Sequence, residues 1–316
     1  MILTLLVFFP LLQIIAQNWE AVRASFERIA WLPLAGSVLL LGIVLPWMAS
    51  ISWACLHSLG AHLPLRQVFG LYFVTQLPKY LPGGIWAFPG RMLAYQAVGV
   101  QPAPAVVSVF REVSALFLGA VIIGLLALFQ DIVLDPALQL TLIIGLLACL
   151  GATGILQLKA FWKLALRLPF LKSTRLAQLA SQTDDLCPHQ PGLFSLAWLP
   201  GALVCSLVFW LGMGVPFRQL MVAISPAATG LSWLQAATLF ALSWCIGFAV
   251  VFVPAGFGVR ESALTLLLSR IVPLGDAVSI ALLSRLWWMV VEAVCIAVSV
   301  WLLGDVKWSS WKRIGS

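Results

Sequence analysis

Pro78-Lys79-Tyr80-Leu81-Pro82-Gly83-Gly84-Ile85-Trp86-Ala87-Phe88-Pro89-Gly90-Arg91 lies between two long apolar segments. It cannot form a continuous helix, because proline lacks the N–H that a helix interior needs and glycine is a poor helix former. Its flanks are nevertheless apolar enough for a bilayer. A second stretch, Val253-Pro254-Ala255-Gly256-Phe257-Gly258-Val259-Arg260-Glu261, repeats the order: proline, closely spaced glycines, then arginine. The two read as a matched pair of helix breaks inside a membrane, with the rest of the chain as their frame.

Composition supports that setting. Of 316 residues, 62% are hydrophobic and 9% charged, where a soluble domain carries about 25% charged residues. The chain therefore reads as an all-α, polytopic membrane protein. Its formal charge of +7 sits in loops beside apolar spans. Lipid phosphate is the expected counter-charge, and no nucleic-acid motif is present. Cys55, Cys149, Cys187, Cys205, Cys245 and Cys295 occur singly. Without a CxxC they suggest neither a metal site nor a disulfide framework. His57, His62 and His189 read as solvated loop residues. No metal and no cofactor is expected.

Apolar runs over 1–17, 34–56, 104–128, 136–156, 193–222 and 277–304 are each near the ~20 residues that cross a bilayer. The first has no preceding Lys or Arg and no A-x-A site after it, so it is expected to be a span and not a signal peptide. Two further regions, 67–98 and 231–272, are apolar but interrupted at Pro82-Gly83-Gly84 and at Pro254 and Gly256. They read as broken or re-entrant helical hairpins. The predicted units are a membrane half over 1–156, a connection over 157–190 and a second half over 191–316.

In the connection, Lys159, Lys163 and Arg167 recur on one helical face, and Lys172 and Arg175 follow. This predicts an interfacial amphipathic helix on the cytosolic side. The tail, with Lys307, Lys312 and Arg313, falls there by the same rule. Counting spans in both directions puts both termini in the cytosol of a cell membrane. Arg23 and Arg28 then fall on the outside, against the rule. The unit 34–56, 67–98, 104–128 recurs inverted as 193–222, 231–272, 277–304. That is the pattern of an inverted-topology repeat. Ala105-Val106-Val107-Ser108 and Ala281-Leu282-Leu283-Ser284 share texture within it.

A helix interrupted in hydrocarbon exposes backbone groups that protein or ligand must satisfy. The half-helix that follows offers N–H donors and a partial positive charge. Lys79, Gly83, Gly84 and Arg91 at the first break, and Gly256, Gly258 and Arg260 at the second, could make two anion sites for a lipid phosphate, one approached from each side. On the bland reading the glycines let helices pack and the arginines reach the interface. Arg111, Glu112, Glu261, Arg285 and Glu292 form a predicted intramembrane charge network, pairing across the repeat and either structural or mechanistic. Trp31, Trp198, Trp233, Trp308 and Trp311 read as interfacial anchors. Trp86 sits inside the first break. No nucleophile–base constellation appears, so no enzyme activity is expected. Glu20 and Glu27 read as solvated loop acids.

These motifs, Pro78-Lys79-Tyr80-Leu81-Pro82-Gly83-Gly84 with Arg91, Arg111-Glu112, and Pro254 to Glu261, resemble the transmembrane region of the lysylphosphatidylglycerol synthase/flippase family. The resemblance covers nearly the whole chain. It implies a membrane module that moves a phospholipid or polyprenyl-type lipid between leaflets. The chain stops at Ser316, without the cytosolic aminoacyl-transferring domain of the synthase branch, which argues against lysyl transfer. Two alternatives stand beside a flippase. One is a non-transporting partner of envelope-synthesis enzymes. The other is a transferase acting on a lipid-linked substrate.

Overall fold

In the computed structural model, residues 18–80, 86–130, 197–249 and 256–304 are described, with isolated positions 16, 140, 143, 144, 147 and 151. The predicted first span, most of 136–156, the connection 157–190, Gly83, Gly84, Pro254 and the basic tail lie outside the described residues.

Helix α1 (Trp19–Glu27) is short and amphipathic, followed by α2 (Trp31–Val44) and α3 (Met48–His57). A 3₁₀ turn at Leu45–Trp47, containing Pro46, joins α2 to α3. The two run on as one apolar span, Trp31–His57. Helix α4 (Leu65–Val74) starts after the extended Pro64 and leads to a 3₁₀ turn, Leu77–Tyr80. Helix α5 (Ala87–Ala97) and the long α6 (Pro102–Leu125) follow. The second half holds α7 (Leu199–Ile224), α8 (Trp233–Ala249), α9 (Val259–Leu268) and α10 (Leu274–Leu302).

All described secondary structure is helical. Four described helices are long and apolar enough to cross a membrane: Trp31–His57, Pro102–Leu125, Leu199–Ile224 and Leu274–Leu302. They overlap four of the predicted spans, with ends that differ by one to three residues except at Leu199, six residues after the predicted start at 193. The two interrupted regions hold pairs of shorter described helices, α4 with α5 and α8 with α9.

The outer faces carry large exposed apolar residues. On α10, Leu286, Val290, Val294, Val298 and Trp301 are all exposed and follow a helical spacing. A stripe of that kind suits hydrocarbon and not water. Because lipid tails are as apolar as leucine, helix association inside a bilayer rests on close packing and interhelical hydrogen bonds. Glycines provide the approach. A Cβ on Gly214 of α7 would lie 2.1 Å from the Trp233 carbonyl oxygen of α8. The Trp210 indole N–H, fully buried, donates to the Leu116 carbonyl at 2.8 Å and ties α7 to α6.

The halves interlock reciprocally. Helix α4 packs on α10, and α8 packs on α6, while α5 lies on α6 and α9 on α10. Helix α1 packs on α10, where the Ser25 hydroxyl donates to buried Asp276 at 2.6 Å. Glu20 and Glu27 are exposed, and Arg23 pairs with Glu27 one turn away. Trp31 and Trp233 are exposed. Trp198 corrects its expectation: it is buried, and its ring faces the Arg111 guanidinium at 5.3 Å, so cation–π packing holds it inside.

Candidate functional site

At the first break, α4 presents Tyr72 and Thr75, and α5 carries Arg91 in its second turn. Arg91 is almost completely buried at 1% exposure. An unpaired charge there would be costly, and the surroundings satisfy it. Its Nη1 pairs with Glu112 Oε1 of α6, and its Nε donates to Thr75 Oγ1 at 3.2 Å. The Tyr72 ring lies 3.9 Å from its Cζ. The second oxygen of Glu112 accepts from Ser52 Oγ at 2.6 Å, and Ser52 is 2.6 Å from the Tyr95 hydroxyl. Both ends of the Arg91–Glu112 pair are thus engaged.

At the second break, Gly256 and Gly258 have φ of +66° and +84°, a region that side chains with a Cβ rarely adopt. Gly256 also packs where a Cβ would come within 2.9 Å of the Gly247 carbonyl oxygen. The Glu261 carboxylate folds back on the start of its own helix, accepting the Gly258 N–H at 2.7 Å. Its other oxygen faces Arg285 Nη1 of α10 at 3.8 Å. The Arg285 guanidinium lies over the Phe257 ring at 3.9 Å.

Arg260 differs from Arg91. It is 5% exposed, with its Cζ 4.5 Å from the Phe240 ring and 5.6 Å from Trp288. Its Nε and Nη2 have no hydrogen-bond partner among the described residues. The aromatic faces attract the cation but accept no conventional hydrogen bond. Two buried donors are left unmet, at about 1–3 kcal/mol each.

One cavity of about 190 Å³ brings the two breaks together. It is lined from the first half by Lys79, Arg91 and Glu112, and from the second by Gly256, Arg260, Arg285 and Glu292. Apolar walls come from Met48, Leu116, Trp244 and Phe248. Four cations face two carboxylates on this lining. The sequence reading suggested two anion sites on opposite sides and left their meeting open. Arg91 and Arg260 in fact face the same space.

The charge network also differs from expectation in its partners. Glu112 pairs with Arg91 inside the first half, and Glu261 with Arg285 inside the second. Within the cavity lining, Lys79 pairs across the halves with Glu292 Oε1, and the Tyr80 hydroxyl donates to Glu292 Oε2. Arg111 faces away from the cavity lining and donates to Ser58 at 3.0 Å. Neighbouring positions on a helix point about 100° apart, so Arg111 and Glu112 cannot share one partner face. Gly258 is not on the cavity lining; it sets the start of α9.

Sequence reasoning passed over Tyr72, Tyr80 and Tyr95. The chain has only 3 Tyr, and all three bond or stack within this network. Their confinement to 72–95 was a readable signal. Among the described residues, no group of three or more His, Cys, Asp and Glu is arranged to hold a metal. His57 and His62 touch through their rings on the exposed surface.

The model of the family described as Lysylphosphatidylglycerol synthase TM region matches residues 1–293. No curated protein matches the chain.

Proposed function

The chain belongs to the lysylphosphatidylglycerol synthase transmembrane-region family, and on that premise we propose that this integral membrane protein moves a phosphate-bearing lipid between leaflets. The observation that carries the reading is Arg260: a buried guanidinium on the lining of a cavity shared by both halves, with two donors unmet among the described residues. A phosphate oxygen is the natural acceptor for such a planar donor set. Apolar walls beside it suit the glycerol and acyl portion of a lipid.

In this reading Lys79, Arg91, Gly256, Arg260 and Arg285 surround the head group. Glu112 and Glu292 hold Arg91 and Lys79 in place. Gly83 and Gly84 of the first break are assigned to the same phosphate through their N–H groups, and Gly258 orients α9. Glu261 fixes Arg285, and Arg111 anchors α6 against α3.

The frame we propose is about six spans and two broken hairpins in an inverted-topology repeat. It comprises halves over 1–156 and 191–316 and a cytosolic connection over 157–190. Reciprocal packing of α4 on α10 and of α8 on α6 supports this, because a two-fold relation exchanges those contacts. The termini lie in the cytosol of a cell membrane. The chain acts as a transporter and not as an enzyme.

Transport of a fluorescent phospholipid in proteoliposomes tests the function. Wild-type protein is expected to expose the inner-leaflet label, and Arg260→Ala to reduce the rate at least about tenfold. Substitution of exposed Arg23 serves as control. Equal rates for Arg260→Ala and wild type, with both folded, would contradict this mechanism. Protein that moves no lipid but co-purifies with an envelope-synthesis enzyme would favour the partner reading.

A further inference from the structure

We infer that the lipid carries one net negative charge on a phosphodiester and an uncharged head group, and that the cavity discriminates against amine-bearing head groups. The inference rests on the lipid-transport reading and follows from how each charge at the cavity is already used.

Three of the four lining cations stand opposite carboxylates: Lys79 with Glu292, Arg91 with Glu112, and Arg285 with Glu261 just behind the wall. Arg260 remains, buried and with two donors unpartnered among the described residues. One phosphodiester charge neutralises it. A lipid diphosphate would bring further negative charge into a buried site whose other cations already have carboxylates, and buried like charge is disfavoured.

The acceptors are equally committed. Glu112 takes Arg91 on one oxygen and Ser52 on the other. Glu292 takes Lys79 on one and Tyr80 on the other. An ammonium on the head group, from an ethanolamine or an aminoacyl ester, would therefore cancel the phosphodiester charge and leave the cavity net positive. It would meet no open oxygen on the two lining carboxylates, and Glu261 Oε1, behind the wall and off the lining, faces Arg285 at 3.8 Å, so desolvation of the amine would go uncompensated. A glycerol-type head group brings only hydroxyls, which need no counter-charge.

The test uses the full chain in phosphatidylcholine liposomes with one acyl-labelled lipid at a time: phosphatidylglycerol, phosphatidylethanolamine, lysylphosphatidylglycerol or a polyprenyl diphosphate. Phosphatidylglycerol is expected to move at least about tenfold faster than either amine-bearing lipid, the value of one uncompensated charge contact. In Arg260→Gln that preference should fall to about twofold or less, and Arg260→Lys should keep it, separating lost charge from lost fold. Equal or faster movement of the lysyl lipid or the diphosphate by wild type would overturn the inference and leave transport standing. If no lipid moves, the transport reading fails instead. Retention of each lipid by purified protein, measured by native mass spectrometry, then decides the inference: preferential phosphatidylglycerol supports it, and preferential lysyl lipid overturns it. Soluble glycerophosphoglycerol that competes as well as the lipid would assign the site to a free phosphodiester and also overturn it.

Discussion

Two arginines that look equivalent in the sequence have opposite situations. Each follows a Pro/Gly break by a short distance, and spacing alone treats them alike. Arg91 reaches Glu112, Thr75 and the Tyr72 face, so its charge is spent on holding α4, α5 and α6 together. Glu112→Gln would leave Arg91 as a buried charge without its counter-ion. A loss of about 3–5 kcal/mol is expected from such a change, measured as a lowered unfolding midpoint in detergent; an unchanged midpoint would mean that the pair contributes nothing. Arg260 lies against the Phe240 and Trp288 rings, and its Nε and Nη2 have no hydrogen-bond partner among the described residues. Gly256 sets its position. With φ of +66° and the Gly247 carbonyl 2.9 Å from any added Cβ, Gly256→Ala should displace α9. We expect it to lower transport while Gly90→Ala, where an added Cβ meets nothing within 4 Å, leaves transport near wild type.

The helix breaks are where local chemistry was most legible. Proline and glycine stop helices for reasons that act within a few residues, so both interrupted regions and four spans could be placed from composition and order. Pairing was less legible because it depends on which way each helix is rotated. Arg111 and Glu112 are neighbours in the chain, yet one bonds Ser58 on α3 and the other Arg91 on α5. Nor did periodicity indicate that Lys79, in the turn before the first break, reaches Glu292 on α10. That bond, with Tyr80, straps one half to the other. Lys79→Met is expected to free Glu292 and loosen the contact of the first break with α10. Thiol labelling of a cysteine introduced at Gln76, on the cavity lining, should become faster in that background. Unchanged labelling would show that α4 packing on α10 alone closes the cavity.

At the scale of the whole molecule, the halves share one cavity that neither could build alone. Its cations come from both, its unmet donors from the second, and its cross-bond from the first break to α10. Reciprocal packing of α4 on α10 and α8 on α6 surrounds it with helices of both halves. This arrangement suits a lipid head group carried through protein while its chains remain in the bilayer. Exposed apolar stripes such as Leu286, Val290 and Val294 on α10 provide the hydrocarbon-facing exterior. The most direct test maps where the head group sits. A phosphatidylglycerol analogue with a photoreactive group on its glycerol head is cross-linked to the protein in liposomes, and the labelled residues are identified by mass spectrometry. The account predicts labels on cavity residues such as Trp288, Phe248 and Gln76, lost in Arg260→Gln. Labels confined to the outer face of α10, unchanged by that substitution, would contradict it.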